Sequence, residues 1–146
     1  MFYSCGLKYD GCEQKYDGWQ VIDLGYSCGT LKIPPTWQYT FENELVYILD
    51  EESNPVMIEY KYSEDIISNK YYSNIVCDGF VTSACTSNGT VYGLYRIIHN
   101  GETKEIQYLD VGYGENMKTF FVWDLSLTEK DLISVAETFV ASSVSD

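Results

Sequence analysis

His99 is the one histidine in a chain of 146 residues, so a Ser-His-Asp or Cys-His relay would have to pass through it. It stands beside Asn100-Gly101, a dipeptide that favours tight turns, and no nucleophile motif surrounds it. An exposed histidine at a hairpin tip is the expectation, and no catalytic residue is assigned. Zinc chemistry needs closely spaced Cys/His pairs, and neither C-x2-C nor H-E-x-x-H occurs. Asp50-Glu51-Glu52 offers oxygen ligands of the kind calcium takes, but in so acidic a chain a solvated turn is the expectation, and no metal ligand is assigned. The stretch VGYGEN (111–116) has two glycines without G-x-G-x-x-G or a Walker lysine. No cofactor is therefore expected. Exposed aromatics can stack on sugar rings, and Tyr71 and Tyr72 are the pair best suited to face a ligand.

Five cysteines leave one over in an oxidising compartment. Cys77 and Cys85, eight apart in a turn-rich stretch, are the preferred disulfide pair, with Cys12 and Cys28 paired by remainder. The alternative is a cytosolic chain with reduced thiols, some of them buried as small hydrophobes. Phe2-Tyr3-Ser4-Cys5 resembles the tail of a bacterial lipobox, which would make Cys5 a lipidation site. Only four residues precede Cys5, so the charged and apolar regions of a signal peptide would have to lie upstream.

The formal net charge is −13, and the acidic excess runs through both halves of the chain. Such a field repels phosphate backbones, so direct nucleic-acid binding is not expected, whereas a basic protein partner would be attracted. No apolar run approaches the ~18–20 residues that span a bilayer. Membrane association would come only through a lipid on Cys5. Hydrophobic residues make up 45% and aromatic residues 16%, with 14 tyrosines, enough for a core. Tyrosine suits both half-buried sheet faces and wet binding surfaces.

These residues must be positioned mostly by strands. Residues 1–18, with KYDG at 8–11 and again at 15–18, read as a leader or lipoprotein linker, and 19–146 as a single domain. Strand patterns occupy 19–24, 29–33, 38–42 and 45–49, with Asn43-Glu44 as a tight turn. Residues 56–62 alternate, placing Val56, Ile58, Tyr60 and Tyr62 on one face and Glu59 and Lys61 on the other. Ser63, Glu64 and Asp65 fit the start of a second, short helix around 63–76, with Ile67, Tyr71 and Ile75 spaced by four. VTSACTSNG reads as a short strand edge and a loop, and Asn88-Gly89-Thr90 is formally a glycosylation sequon as well as a turn. Residues 90–98 and 104–113 form a hairpin around His99–Thr103, and 117–123 supply the next strand. A closing helix is capped by Thr128 with Asp131, or by Ser126 with Glu129. Leu132, Ile133, Ala136, Phe139 and Val140 make its apolar stripe. The fold class is α+β: a single antiparallel meander packed against a C-terminal amphipathic helix.

In GTLKIPPTW (29–37), Leu31, Ile33, Pro34 and Trp37 fill the phrase hydrophobic–x–hydrophobic–Pro–x–x–Trp. With the strand order and the closing helix, this resembles the PsbP-like superfamily of small secreted or lipid-anchored bacterial proteins. The resemblance implies a scaffold that binds or stabilises other proteins and carries over no catalytic constellation. By the residues alone, Pro34 and Pro35 stop a strand and Trp37 plugs an open end of the core. The expected function is a non-catalytic binding domain of the cell envelope or a secreted one, with a protein partner. The alternative is a cytosolic acidic inhibitor, of phage or mobile-element type, that blocks a basic nucleic-acid-binding protein.

Overall fold

Two-residue periodicity governs most of the chain. The computed structural model describes residues 16–25, 28–61, 63–112, 117–123 and 127–142. The described strands are β1 (Gln20–Asp23), β2 (Gly29–Ile33), β3 (Gln38–Glu42), β4 (Leu45–Leu49), β5 (Pro55–Tyr60), β6 (Ile66–Ile67), β7 (Ile75–Cys85), β8 (Val91–His99), β9 (Glu102–Val111) and β10 (Lys118–Val122). Helix α1 (Glu129–Ala136) and strand β11 (Val140–Ala141) follow.

The expected single sheet is in fact two. An eight-stranded antiparallel sheet runs β3-β4-β5-β10-β9-β8-β7-β6, and a three-stranded one runs β1-β2-β11. The larger is two meanders, β3–β5 and β6–β10, joined where β5 pairs with β10. The smaller sheet exists because the chain turns back after α1. Val140 pairs with Thr30 and Ala141 with Gly29, so Phe139 and Val140 leave the helical stripe and Val140 is exposed.

Local chemistry explains each punctuation. Pro34 and Pro35 end β2, and a turn follows in which the Trp37 amide donates to Pro34 O at 3.1 Å. The Gln20 side-chain amide donates to the carbonyls of Pro34 (3.1 Å) and Trp37 (2.5 Å), so the strand stop is satisfied from β1. Trp37 packs, half-buried, against the core. Asn43 and Glu44 both take positive φ (53° and 68°), the mirror-image turn that matches strand twist. Asn100 and Gly101 do the same (55° and 80°). That second turn needs only two residues, because His99 pairs directly with Glu102; the five-residue loop of the sequence reading is shorter.

The helix expected around 63–76 is absent. The Asn69 side chain accepts from the amides of Tyr71 and Tyr72, both at 2.9 Å, while its own amide donates to Tyr72 O at 2.7 Å. This local turn outcompetes helical bonding. Asn74 then takes φ 55°, and β7 begins. Far from being a short edge, β7 has eleven residues.

Register shifts between Cys77 and Gly79 and between Phe80 and Thr82 bend β7, and the sheet curls. The curl brings the 68–74 loop, beyond edge strand β6, over to the β3–β4 edge. There Lys70 ion-pairs with Glu42 on β3, and the Tyr71 ring lies 5.9 Å from that of Tyr47 on β4.

Two cores result, one on each face of the curled sheet. The outer core lies between the large sheet and the layer of α1 and the small sheet, and includes Ile22, Leu31, Ile33, Met57, Phe120, Leu132 and Val135. The inner, concave core includes Tyr60, Ile75, Tyr95, Ile97, Ile106, Tyr108 and Phe121. Central strands are therefore buried on both faces: all five residues of β10, and Val56 through Tyr60 of β5. Glu59, expected on the face opposite Val56, Ile58 and Tyr60, is 5% exposed. Its Oε2 accepts from Lys118 Nζ at 2.6 Å and its Oε1 from the Val46 amide at 3.0 Å.

Helix α1 begins as the first of the two expected caps predicts: Thr128 Oγ1 accepts from the Asp131 amide at 3.1 Å. Its C-terminal carbonyls are met from outside. Asn88 Nδ2, in the β7–β8 turn, donates to Ala136 O (3.3 Å) and Phe139 O (3.2 Å). The formal sequon is thus a turn whose side-chain amide joins two elements.

Candidate concave aromatic site

The inner face is a continuous run of rings. Phe121 on β10 stacks with Tyr60 on β5, centroids 4.9 Å apart, and lies 5.0 Å from Tyr95 on β8. Phe80 on β7 meets Tyr95 edge-on at 4.8 Å and Tyr108 on β9 at 5.0 Å. Such pairs contribute about 0.5–1.5 kcal/mol each beyond their burial. Register puts these side chains on one face, since Tyr95 opposes Ile106, Gly93 opposes Tyr108 and Phe121 opposes Tyr108.

Gly93 allows this packing. A Cβ there would lie 2.1 Å from Thr82 O, because the bent β7 backbone comes close. With no side chain in the way, Tyr108 reaches across and its hydroxyl donates to the same Thr82 O at 3.1 Å.

The two ends of the face differ. At one end the 68–74 loop closes it. Tyr72 stacks on Trp123 at 4.3 Å and meets His99 edge-on at 5.7 Å. Lys70 Nζ sits 5.3 Å and 5.2 Å from the ring centres of Tyr47 and Tyr71. Trp123 Nε1 is buried there with no hydrogen-bond partner among the described residues. At the other end the face opens as a cavity of about 410 Å³ lined by Phe80, Thr82, Ser83, Val91, Tyr108 and Asp110, among others. Phe80 is 51% exposed, and Asp110 only 6%. Asp110 Oδ1 accepts from Thr119 Oγ1 at 2.6 Å. A second cavity of about 240 Å³ shares Val91 and Asp110 in its lining. Thr90, which also lines it, is 4% exposed, and its hydroxyl has no partner among the described residues.

Burial dominates the electrostatics. It pushes the phenols of Tyr60, Tyr95 and Tyr108 above their ordinary value. For Tyr108 the next cause is the negative charge of Asp110. The Cys77 thiol is also raised, by burial first, with a hydrogen bond from Tyr60 opposing.

The residues singled out in the sequence fall as follows. Tyr71 and Tyr72 are half-buried; the Asn69 turn brings the Tyr71 ring beside Tyr47 and stacks Tyr72 on Trp123. His99 is half-buried against Tyr72. The Asp50 carboxylate caps its own turn, accepting from the amides of Glu52 (2.8 Å) and Asn54 (2.9 Å), which holds its pKa below the ordinary range. Cys28, Cys77 and Cys85 are free thiols. The preferred Cys77–Cys85 bridge does not form: the two occupy opposite parts of one strand, on the order of 25 Å apart, whereas a disulfide needs Cα atoms within about 7 Å. Cys5 and Cys12 lie outside the described residues, and with them the lipidation site and the Cys12–Cys28 pairing. The cavity residues Phe80, Tyr108 and Asp110 escaped the sequence reading. The signal was an acid at an inner position of an apolar alternation, Ile106-x-Tyr108-x-Asp110.

Comparison of the chain with protein-family models, with curated proteins and with solved structures finds no match. The fold and site together define a class: an α+β domain whose curled antiparallel sheet carries an aromatic face closed at one end and open at the other. No described helix is long and apolar enough to cross a membrane.

Proposed function

We propose that this chain is a non-catalytic binding domain of the bacterial cell envelope, or a secreted one, that engages its partner through the open end of the concave face. The observation that carries this is Phe80, half-exposed beside the buried rings of Tyr95 and Tyr108. Aromatic residues of this kind anchor interfaces and ligand sites. The resemblance of IPPTW to the PsbP-like phrase supports a scaffold role, and the lipobox-like Cys5 supports attachment to a membrane through lipid. The acidic surface favours a protein partner over nucleic acid. A fragment library screened by NMR against the full chain tests the site. Saturable shifts at Phe80, Ser83 and Tyr108, with each ligand recovered unchanged, are the expected result. Shifts confined to the outer face, or turnover of a ligand, would overturn it.

The exposed Cys85 fits a second reading, the cytosolic acidic inhibitor, because an exposed thiol persists most readily in a reducing compartment. Native mass with and without reductant separates the two. Five free thiols point to the cytosol, and disulfides to the envelope.

A further inference from the structure

We propose that a cavity of about 210 Å³ on the outer layer binds a quaternary ammonium head through the indoles of Trp19 and Trp37 and the Asp131 carboxylate. Both tryptophans pack against the outer core, so the site is separate from the concave face and its test stands apart from that of the binding-domain reading.

The cavity lies where the end of the β1–β2 hairpin meets α1. Trp19, Pro34 and Trp37 supply one side. Asp131, Ser134 and Val135, spaced three and four apart on one helix face, supply the other. Two of the chain's three tryptophans thus stand with a carboxylate around one hollow. The walls are braced in advance. Trp37 is set by its amide bond to Pro34 O and by Gln20 Nε2, which donates to the Trp37 carbonyl at 2.5 Å. Tyr16 meets Trp19 edge-on at 4.9 Å, and its hydroxyl donates to Glu137 Oε1 at 2.9 Å, tying the hairpin end to α1. Thr128 caps α1 through the Asp131 amide, and no hydrogen bond or ion pair from another described residue engages the Asp131 carboxylate.

Charge and lining together select the ligand. An anion would meet Asp131 and a chain of net charge −13. A neutral apolar group would cover the carboxylate without compensating it. A primary ammonium carries three N–H donors, and the lining offers side-chain acceptors only on Asp131 and Ser134. A quaternary ammonium has no N–H to satisfy, and its methyl groups carry the charge onto aromatic faces, for which tryptophan is the strongest partner. Glu129 and Asp131 already offset the positive end of α1. The volume is below the about 300–1,000 Å³ of drug-sized pockets, so the cavity takes a head group and not a long chain. That head belongs either to a free choline-like compound or to a trimethylated lysine of a partner protein.

The test titrates the full chain with choline, with its neutral isostere 3,3-dimethylbutan-1-ol, and with the peptide Gly-Gly-Lys-Gly-Gly carrying a trimethylated lysine. The readouts are calorimetric affinity and the three indole N–H signals. Choline or the peptide should saturate and shift Trp19 and Trp37, while Trp123, packed on the inner core, stays still. The isostere should bind at least about three-fold more weakly. Asp131→Asn keeps the capping amide and should weaken ammonium binding about three-fold or more while leaving the isostere unchanged. Trp37→Leu keeps an apolar side chain for the core, removes the ring, and should weaken ammonium binding by a similar factor. If that variant unfolds, Asp131→Asn, at an exposed position, and the isostere decide. Tighter binding of the peptide identifies a partner's lysine as the source, and tighter binding of choline a free compound. Equal affinity for the isostere, an unchanged affinity in Asp131→Asn, or shifts confined to Trp123 overturns the proposal. So does a failure of both ammonium probes to saturate, which leaves the concave-face reading untouched.

Discussion

Removing the Lys118 ammonium should reveal how much the outer core depends on one ion pair. Glu59 and Lys118 are 5% and 9% exposed, and their charged atoms lie 2.6 Å apart. In Lys118→Met the Glu59 carboxylate keeps the Val46 amide but loses its ammonium, inside a layer of mainly apolar side chains such as Met57, Phe120 and Leu132. An uncompensated buried charge of this kind costs about 3–5 kcal/mol, a large share of the ~5–15 kcal/mol that holds a domain folded. Glu59→Gln in the same chain removes that charge, and a neutral pair of similar volume is often tolerated nearly as well as the ion pair. Urea denaturation of the wild type, both single variants and the double variant closes the cycle. The expectation is a single-variant loss of about 3–5 kcal/mol and a double variant at least 2 kcal/mol more stable than Lys118→Met (about that much, from the same buried-pair energetics). A loss below about 1 kcal/mol, the range of surface pairs, with additive variants, would refute the placement of this pair in a dry core.

Four further outcomes follow from single features. Glu44 holds φ 68° without being glycine, so Glu44→Gly should raise stability by about 0.5–1 kcal/mol, read as a higher denaturation midpoint. Asn88→Ala should cost about 1 kcal/mol by uncovering the carbonyls at the end of α1, and urea titration measures it. The phenols of Tyr60, Tyr95 and Tyr108 are raised in the fold, mainly by burial. Their stabilising contribution is complete below the unfolded value near 10 and is lost as pH rises above it; phenolate absorbance should therefore rise together with loss of circular dichroism, and ionisation well before unfolding would contradict their burial. Cys85 is exposed and Cys28 is buried, with its thiol raised by burial first. An alkylating reagent followed by peptide mapping should modify Cys85 quickly and Cys28 only after unfolding, and early labelling of Cys28 would count against its core position.

Where chemistry is local, the chain announces its structure. Strands β2 to β4, the Asn43-Glu44 and Asn100-Gly101 turns and the Thr128 cap all follow from alternation, turn propensity and a single side-chain bond. Each involves residues only a few positions apart. Errors arose where distant partners decide. The 63–76 segment has helical spacing, but Ile66 and Ile67 pair with β7, and the local Asn69 turn assists that pairing in overruling the helix. Val140 continues a helical stripe, yet β2 offers it and Ala141 backbone partners. Alternation puts Glu59 opposite Val56, Ile58 and Tyr60, but it shows which residues share a face and not whether that face is covered. The small sheet and α1 cover it, and Lys118, fifty-nine residues on, makes its burial tolerable.

The sequence by itself determined an acidic, tyrosine-rich, strand-dominated α+β chain with its Asn-Glu and Asn-Gly turn sites and a closing helix that starts at one of two caps, because those properties depend on composition and neighbouring residues. Only the tertiary structure decided that the strands form two sheets, that bends in β7 curl the larger one, and that Phe80, Tyr108 and Asp110 meet around one cavity. Those three come from two strands and 31 positions of chain (80–110). Their meeting depends on long-range register, on the space left by Gly93 and on which face each layer covers, and no local pattern encodes those.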